Sequence, residues 1–465
     1  MAGCTRGAAS RSGKLATALA LLGLLATACT PSTAPPPATS SEPPTLSPNL
    51  TPPGQSAPAS SLPAGPSSTA PEQGGSLEGL ARVPWDGGPE FWKKFAKADA
   101  AGWDDPAFFP IGVWYASANG PQMQFDKAHG INFYVQFNPD TDHRLFEQNG
   151  MFSLMRPKDA PLDWGQLPGN YIDDEVDGRF GWDEGVAHMY RTVEEAKSKE
   201  QGRFTYANWT PSLISYDAPM DITRRYWETV DVSSTSNYYY AGACRDWRLR
   251  TPTGYNPTTT ATCQTASAYA KAMQIQQEVN IARGVHTPIW SLPTVLSPEG
   301  EHDLSDQMTA ERVKAQVWAM LIHESRGIVW FTQSPGGGDS NPCMSGDALA
   351  DVRISNRDCA RDQVRAMGEV NAEVKALAPV LNTQSYVWRF GDSLDTMLKV
   401  KDGSAYIFAM TQDATTGERT FKLPDGINGT RVEVLNENRT ISAENGAFTD
   451  TFAKESVHHV YKIAL

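Results

Sequence analysis

Four carboxylates lie within five consecutive positions of the chain, at Asp173, Asp174, Glu175 and Asp177. Like charges this close repel one another and raise the pKa of at least one of the carboxyl groups. A carboxyl group that keeps its proton near neutral pH can protonate the leaving oxygen of a glycosidic bond, so the cluster predicts acid catalysis. Two alternatives stay open: a solvated acidic loop, and a calcium site to which Asp173, Glu175 and Asp177 would offer oxygens.

The cluster stands at the end of one of eight predicted short strands that alternate with helices. The strands are predicted at 108–115, 131–137, 152–155, 171–175, 204–208, 232–237, 288–292 and 328–331. The clearest amphipathic helices are predicted at 186–199, 266–283 and 310–326. This order predicts an α/β fold, a (β/α)8 TIM barrel, whose functional residues lie at the carboxyl ends of the strands. The competitor is a doubly wound open sheet, but the first strand is not followed by the Gly-rich phosphate loop of that fold.

Strict alternation along the fourth strand places Asp173 and Glu175 on the same side. Other strand ends carry aromatic and amide side chains, which suit a saccharide cleft because rings pack on sugar C–H groups and amides bind hydroxyls. A single aromatic residue at such a position is usually part of the core, and only the recurrence favours a cleft. The predicted substrate-binding residues are Trp114, Tyr115, Gln136, Asn208, Trp209, Asn237, Tyr238, Trp290 and Trp330.

The first 76 residues differ in composition from the rest. Residues 1–14 carry only positive charge, and 15–28 form an apolar run too short to span a membrane, which is the layout of a secretory signal. The run resembles a bacterial lipoprotein signal with Cys29 as the lipidated residue; an ordinary signal peptide is the alternative. Residues 30–75 hold 13 of the 33 Pro and only two charges, which predicts a disordered tether.

Four cysteines remain once the signal and the lipid account for two of the six. An even number is expected in an oxidising compartment, and the predicted disulfides join Cys244 to Cys263 and Cys343 to Cys359. A zinc site is the rival, but there is no Cys-x-x-Cys spacing and no nearby His.

Charge and composition complete the domain prediction. Without the three basic residues of the signal, the 40 basic and 53 acidic residues leave a net charge of −16, which argues against nucleic acid as a partner. Short strand-like runs after position 380 predict a small antiparallel β-sandwich. The predicted domains are a signal peptide at 1–28, a Pro/Ser/Thr-rich disordered linker at 29–76, a catalytic barrel at 77–380 and the sandwich at 381–465.

Several segments resemble the barrel of bacterial glycoside hydrolases of the clan-A-like, β-galactosidase-type superfamily, which is followed by a β-sandwich. They read FFPIGVWY, GINFYVQF, PGNYIDDEVDG and TAERVKAQVWAMLIHESRGIVWFTQSPGG, and the resemblance spans roughly 108–465. It implies a general acid/base at Glu175, with Asp174 where the superfamily has Asn, and a nucleophilic Glu at the end of the seventh strand. The segment 288–293 offers no carboxylate there, and Glu299 and Glu301 follow in the next loop. Family 18 chitinases also keep an Asp-x-Glu at the fourth strand, and there the N-acetyl group of the substrate assists.

The sequence therefore predicts a surface-anchored or secreted glycoside hydrolase that cleaves a cell-wall or environmental polysaccharide. Glu175 is the expected general acid/base, and Asp173 or Asp174 would tune its pKa or hold a substrate hydroxyl. No cofactor or metal is expected, and the membrane is a partner only through the lipid anchor. The alternative is a glycan-binding lipoprotein of the same fold that does not catalyse.

Overall fold

The protein is described by a computed structural model. It covers residues 77–84, 87–116, 119–137, 141–160, 164–214, 218–240, 248–251, 254–257, 262–282, 284, 287–296, 308–333, 347–353 and 359–465. The predicted signal, the tether, the lipidation site, Glu299 and Glu301 lie outside these ranges. No helix within them is long and apolar enough to cross a membrane.

Two of the four predicted disulfide cysteines are described. Cys263 and Cys359 are each disulfide-bonded, whereas Cys244 and Cys343 lie outside the described residues. The pairing of the four cysteines stays a prediction.

Parallel strands form the first and larger part of the fold. The first six are β1 (Ile111–Ala116), β2 (Phe133–Phe137), β3 (Phe152–Met155), β4 (Gly169–Asp174), β5 (Phe204–Trp209) and β6 (Val232–Thr235). A hairpin of β7 (Arg248–Thr251) and β8 (Gly254–Pro257) follows, and then β9 (Ile289–Trp290) and β10 (Ile328–Trp330). The hairpin was not predicted because its sequence lacks the apolar run that marks the barrel strands.

The eight parallel strands close into a barrel. They form one sheet in the order β10-β1-β2-β3-β4-β5-β6-β9, and the chain at and after β9 pairs with β10. Ser291 forms a parallel bridge with Ile328, and Thr294 forms one with Phe331. The predicted (β/α)8 barrel is thus confirmed.

Helices lie between the strands and before the first one. They are α1 (Pro89–Trp92), α2 (Ala96–Ala100), α3 (Gly120–Ala128), α4 (Arg144–Asn149), α5 (Val176–Arg179), α6 (Trp182–Lys199), a 3₁₀ turn (Pro211–Ile214), α7 (Met220–Trp227), α8 (Ala266–Ala282), α9 (Ala310–Ile322), α10 (Ala348–Arg353) and α11 (Arg361–Leu381). The three predicted amphipathic helices are present as α6, α8 and α9.

Aromatic side chains fill the amino end of the barrel. The ring of Trp103 lies 5.3 Å from that of Phe204 and 5.7 Å from that of Phe133, both of which begin a strand. Trp92 packs 4.9 Å from Trp103. Because this end is closed by packed rings, any site that faces solvent must lie at the carboxyl end.

Antiparallel strands follow α11. They are β11 (Leu394–Lys401), β12 (Ser404–Thr411), β13 (Gly417–Lys422), β14 (Arg431–Val434), β15 (Arg439–Ser442), β16 (Ala447–Phe452) and β17 (His459–Ala464). Strands β11-β12-β17-β14-β15 form one sheet and β13-β16 a second, with a shared core that includes Phe421, Phe448 and Tyr461. This confirms the predicted sandwich. One of the strand-like runs after position 380, at 386–390, forms isolated bridges instead of a strand, and β15 was not predicted.

Candidate active site

The end of β4 departs from regular strand geometry. Tyr171 pairs with Tyr206, and the next pair along is Asp174 with Asn208. Three steps along β4 therefore match two steps along β5, which defines a β-bulge. The bulge breaks the alternation from which Asp173 and Glu175 were predicted to share a side, and it brings Asp174 next to Asn208.

Asp173 is held by three basic side chains. Its Oδ1 lies 2.7 Å from Nη2 of Arg179 and 3.6 Å from Nη2 of Arg156, and its Oδ2 lies 2.8 Å from Nε2 of His188. Burial favours a raised pKa for Asp173, but hydrogen bonds from the Asp174 backbone N–H, His188 and Arg179 outweigh burial and lower the pKa. Of the three predicted catalytic carboxylates, Asp173 is therefore engaged in fixing the elements around the site, and it is poorly suited to donate a proton.

Asp174 has the opposite environment. The amide Nδ2 of Asn208 donates to its Oδ1 at 3.0 Å, and the same amide is fixed by Ser236 and Ser234, each at 2.7 Å. Burial raises the pKa of Asp174 to about 6, and the neighbouring charge of Glu175 adds to the increase. Asp174 is thus a carboxyl group that exchanges its proton close to neutral pH.

Glu175 is held in a left-handed backbone conformation, with φ 47° and ψ 40°. Its N–H donates to the carbonyl of Asn208 at 2.8 Å, and its carbonyl accepts from the N–H of Gly178 at 3.0 Å. Its half-buried carboxylate has no hydrogen bond or ion pair within the described part of the chain. A non-glycine residue held in this conformation is a feature of functional sites, where the fold maintains a strained geometry.

Asp177 is bonded to Thr210. It accepts from the backbone N–H of Thr210 at 3.0 Å and from the Thr210 hydroxyl, and burial raises its pKa to about 6. This contact ties α5 to the end of β5. Among the described residues no group of three or more His, Cys, Asp or Glu side chains could hold a metal ion.

Four aromatic rings lie at the carboxyl end of the barrel; Trp114, Tyr238 and Phe331 are partly buried and Tyr171 is buried. Trp114 meets Tyr171 edge-on with 5.2 Å between ring centroids, and Tyr238 stacks on Phe331 at 5.1 Å. Burial raises the pKa of Tyr238, and the charges of Glu175 and Asp174 raise it further, which places the pair beside this ring. We use the name mouth for the region formed by Trp114, Tyr171, Asp174, Glu175, Asn208, Tyr238 and Phe331.

Three tryptophans predicted to bind substrate lie elsewhere, and each is 0% exposed. Trp209 packs against Tyr226 of α7 at 5.3 Å, and Trp330 donates from Nε1 to Asn371 of α11 at 2.9 Å. Both therefore face the helices outside the barrel. Trp290 points inward but packs among the rings at the amino end. The prediction that these three line a cleft is wrong, because each is fully enclosed by core packing.

The other predicted substrate-binding residues have mixed positions. Trp114, Asn208 and Tyr238 belong to the mouth. Asn237 is buried, with the Tyr239 hydroxyl 3.5 Å from its Oδ1. The side chain of Tyr115 is outside the described part of the structure.

Gln136, at the end of β2, combines two unusual features. Its φ is 61°, and its amide Nε2 is buried without a hydrogen-bond partner. Buried donors in native proteins almost always have a partner. The amide of Gln136 therefore has an unused donor at the carboxyl end of a barrel strand, and substrate binding by Gln136 stays a prediction.

Sequence reasoning missed Arg156, Tyr171 and Phe331. Arg156 directly follows β3, and Phe331 directly follows β10, so their positions at the carboxyl ends of strands were a usable signal. Tyr171 lies in the segment PGNYIDDEVDG, where the sequence indicates only a strand residue.

Comparisons with known proteins identify similar folds. No protein-family model matches the chain, and no curated protein sequence matches it. One solved structure described as a glycoside hydrolase is 10% identical, covers 77% of this chain and 92% of its own, and has a TM-score of 0.47. An Anoxybacillus α-amylase is 9% identical over 77% and 98% of the two chains, with a TM-score of 0.44. A glycoside hydrolase family 30 subfamily 8 xylanase from Clostridium acetobutylicum is 11% identical over 77% and 96%, with a TM-score of 0.41.

These solved structures are glycoside hydrolases, the class that the sequence also resembles. Because the identities are near 10% and the TM-scores are below 0.5, no functional argument is taken from them.

Proposed function

We propose that the protein is a glycoside hydrolase whose acid/base chemistry is performed at the mouth by Asp174 and Glu175. One observation carries the proposal. These consecutive carboxyl groups lie at the end of the fourth barrel strand, where one has a pKa raised to about 6 and the other has no partner in the described part of the chain. The charge of Glu175 is one cause of the raised pKa of Asp174, so the proton of Asp174 is held next to Glu175 close to neutral pH.

Within this pair Glu175 is proposed as the general acid/base. Asp174 is fixed by Asn208, whereas the Glu175 carboxylate is free to meet a glycosidic oxygen. Glu175 would protonate that oxygen as the bond to the sugar breaks, the aglycone would leave as an alcohol, and water would supply the oxygen that the anomeric carbon gains, directly or after an intermediate. Asp174 would share the proton with Glu175 and bind a substrate hydroxyl, and the rings of Trp114 and Tyr238 would pack on the sugar.

We propose an extracytoplasmic polysaccharide, in a cell wall or in the environment, as the substrate. The support is in the sequence, where an apolar run resembling a lipoprotein signal precedes Cys29 and a Pro-rich tether. A protein held outside the membrane by such a tether would meet polymers that do not enter the cell.

One observation favours a second candidate, a glycan-binding protein without catalytic activity. Residues 287–296, which include β9 and its carboxyl end, contain no Asp or Glu. A nucleophile on the seventh barrel strand is therefore missing, and hydrolysis would need Glu299, Glu301 or the N-acetyl group of the substrate in that role.

Incubation of the protein with a panel of polysaccharides distinguishes the two candidates. New reducing ends are measured, and binding to each polymer is measured in parallel. We expect at least one polymer to be cleaved. Binding without release of reducing ends from any polymer would contradict the hydrolase and support the binding protein.

A further inference from the structure

We infer that the mouth takes a sugar residue bearing a carboxylate, and that Arg156 and Arg179 recognise it. The inference rests on the proposed function, since it names the class of saccharide for the same site. It depends on two observations: the position of the two arginines, and the incomplete hydrogen bonding and ion pairing of Arg156.

Arg156 stands at the edge of the mouth. It directly follows β3, and its guanidinium lies 5.6 Å from the centroid of the Tyr171 ring. Trp114 also contacts that ring, with 5.2 Å between centroids. Tyr171 itself is buried, but Trp114 is partly exposed and the side chain of Arg156 is 40% exposed, so a ligand that packs on Trp114 would lie near the guanidinium.

Arg179 approaches the carboxyl pair from the α5 side. Its Nε donates to the backbone carbonyl of Asp174 at 3.0 Å, and its side chain is 49% exposed. One arginine therefore flanks the aromatic floor of the mouth, and the other flanks the acid/base pair.

Arg156 forms a hydrogen bond with Tyr171, but its hydrogen-bonding capacity is only partly used. Its contact with Asp173 is 3.6 Å, against 2.7 Å for the contact between Asp173 and Arg179. Its Nε is buried and has no hydrogen-bond partner. A guanidinium presents five donors in a planar fork that fits a carboxylate with two parallel bonds. A carboxylate on the substrate would supply the missing acceptor.

The ion pairing of Arg156 is also incomplete. Within the described residues its one carboxylate contact is the 3.6 Å contact with Asp173, whose oxygens Arg179 and His188 contact at 2.7 Å and 2.8 Å. A carboxylate on the ligand would therefore not have to displace a short ion pair of Arg156.

An acidic sugar would also support the proposed chemistry. A bound carboxylate near Asp174 would disfavour its ionised form and keep the proton on the pair. The same charge that provides recognition would thus help to hold the acid in its reactive state.

The test uses pairs of ligands that differ in charge alone. Oligosaccharides of polygalacturonate, alginate and hyaluronan are each compared with their carboxyl-reduced neutral forms, and a sulfated galactan is included. Binding is measured by isothermal titration calorimetry with the wild type, with Arg156→Met and with Arg225→Met. Arg225 is an exposed arginine on α7 that pairs with Asp183, so its variant removes the same charge away from the mouth.

The wild type is expected to bind at least one acidic oligosaccharide about tenfold or more tightly than its neutral form, as for a charge-assisted hydrogen-bonded contact. Arg156→Met should reduce that preference to about threefold or less, while Arg225→Met keeps it. Equal binding of acidic and neutral forms by the wild type would overturn the inference. So would an unchanged preference in Arg156→Met, or preference for the sulfated galactan alone. Because binding is scored without cleavage, these outcomes are independent of whether the protein hydrolyses any glycan.

Discussion

Asp173 and Asp174 are consecutive residues of the same type whose pKa values are shifted in opposite directions. Asp173 receives hydrogen bonds from Arg179 and His188, and these favour its ionised form. Asp174 is partly buried, the Asn208 amide is its one side-chain hydrogen-bond donor among the described residues, and burial favours its neutral form. Different environments thus assign different roles to chemically identical neighbours, a pattern that separates acid from base in many active sites.

The raised pKa of Asp174 predicts a pH-dependent stability. The pKa is about 6 in the fold against a reference value of 3.8, so the ionised group destabilises the fold above about pH 6. The penalty disappears below about pH 3.8, where Asp174 is protonated in both states. Asp174→Asn should therefore increase the free energy of unfolding by about 2 kcal/mol at pH 8 and leave it nearly unchanged at pH 4.

Urea unfolding at both pH values measures this effect. Asp425→Asn is the control, because Asp425 is exposed and its substitution should make little difference at either pH. An equal stability change for Asp174→Asn at pH 4 and pH 8 would contradict the assigned environment.

At the scale of the element, the bulge in β4 and the left-handed Glu175 define how the strand ends. The left-handed region costs roughly 1–2 kcal/mol for a residue with a Cβ, and glycine avoids that cost. Here the residue is Glu, which indicates that the carboxylate is kept at the expense of stability.

Comparison of Glu175→Gly with Glu175→Ala isolates the cost in folding stability of the left-handed backbone at position 175. Both variants lose the carboxylate, but the Gly variant should be more stable than the Ala variant by about 1 kcal/mol. The matched pair at Glu194, exposed in the middle of α6, should show the opposite order by a similar amount, because Gly is a poor helix former. Denaturant unfolding of the four variants provides the measurement. The same order at both sites would refute the assigned conformation.

The helices and strands could be predicted where the sequence has clear apolar runs. The site could be predicted where acidic residues cluster, at the end of the fourth strand. All eight barrel strands follow from their sequence, whereas the hairpin of β7 and β8 and the strand β15 have no such run. Alternation explains one error among the tryptophans: Asn208 and Trp209 are neighbours on one strand, so only one of them can face the barrel interior. The bulge in β4 changes the side of the strand on which the following residues lie. Its position depends on how β4 pairs with β5, and a single sequence does not reveal that pairing.

At the scale of the whole molecule, the C-terminal sandwich is hydrogen-bonded to the loop after β6 through Glu455, a contact that we call the brace. Glu455, in the turn between β16 and β17, accepts from the Tyr240 hydroxyl at 3.2 Å and from the N–H of Ala266 at 2.8 Å. Tyr240 is two residues from Tyr238 of the mouth. The sandwich therefore holds one wall of the site and the start of α8.

Loss of this brace should destabilise the protein. Glu455→Ala leaves the Tyr240 hydroxyl and a helix N–H without their acceptor and should reduce the free energy of unfolding by about 2 kcal/mol. Lys454→Ala, in the same turn, breaks only the exposed ion pair with Glu311 and should change it by about 0.5 kcal/mol or less. Thermal unfolding of both variants tests the difference, and equal effects would argue against the brace.

The most direct test of the central claim is the initial rate at which the protein releases reducing ends from its best polysaccharide substrate. Glu175→Gln keeps the size of the side chain but removes the proton-transferring group, and it should lower this rate by about 100-fold or more. Glu194→Gln, the same change on the exposed face of α6, should retain the wild-type rate. A Glu175→Gln variant that cleaves the polymer as fast as the wild type would contradict the assignment of acid/base chemistry to the end of the fourth strand.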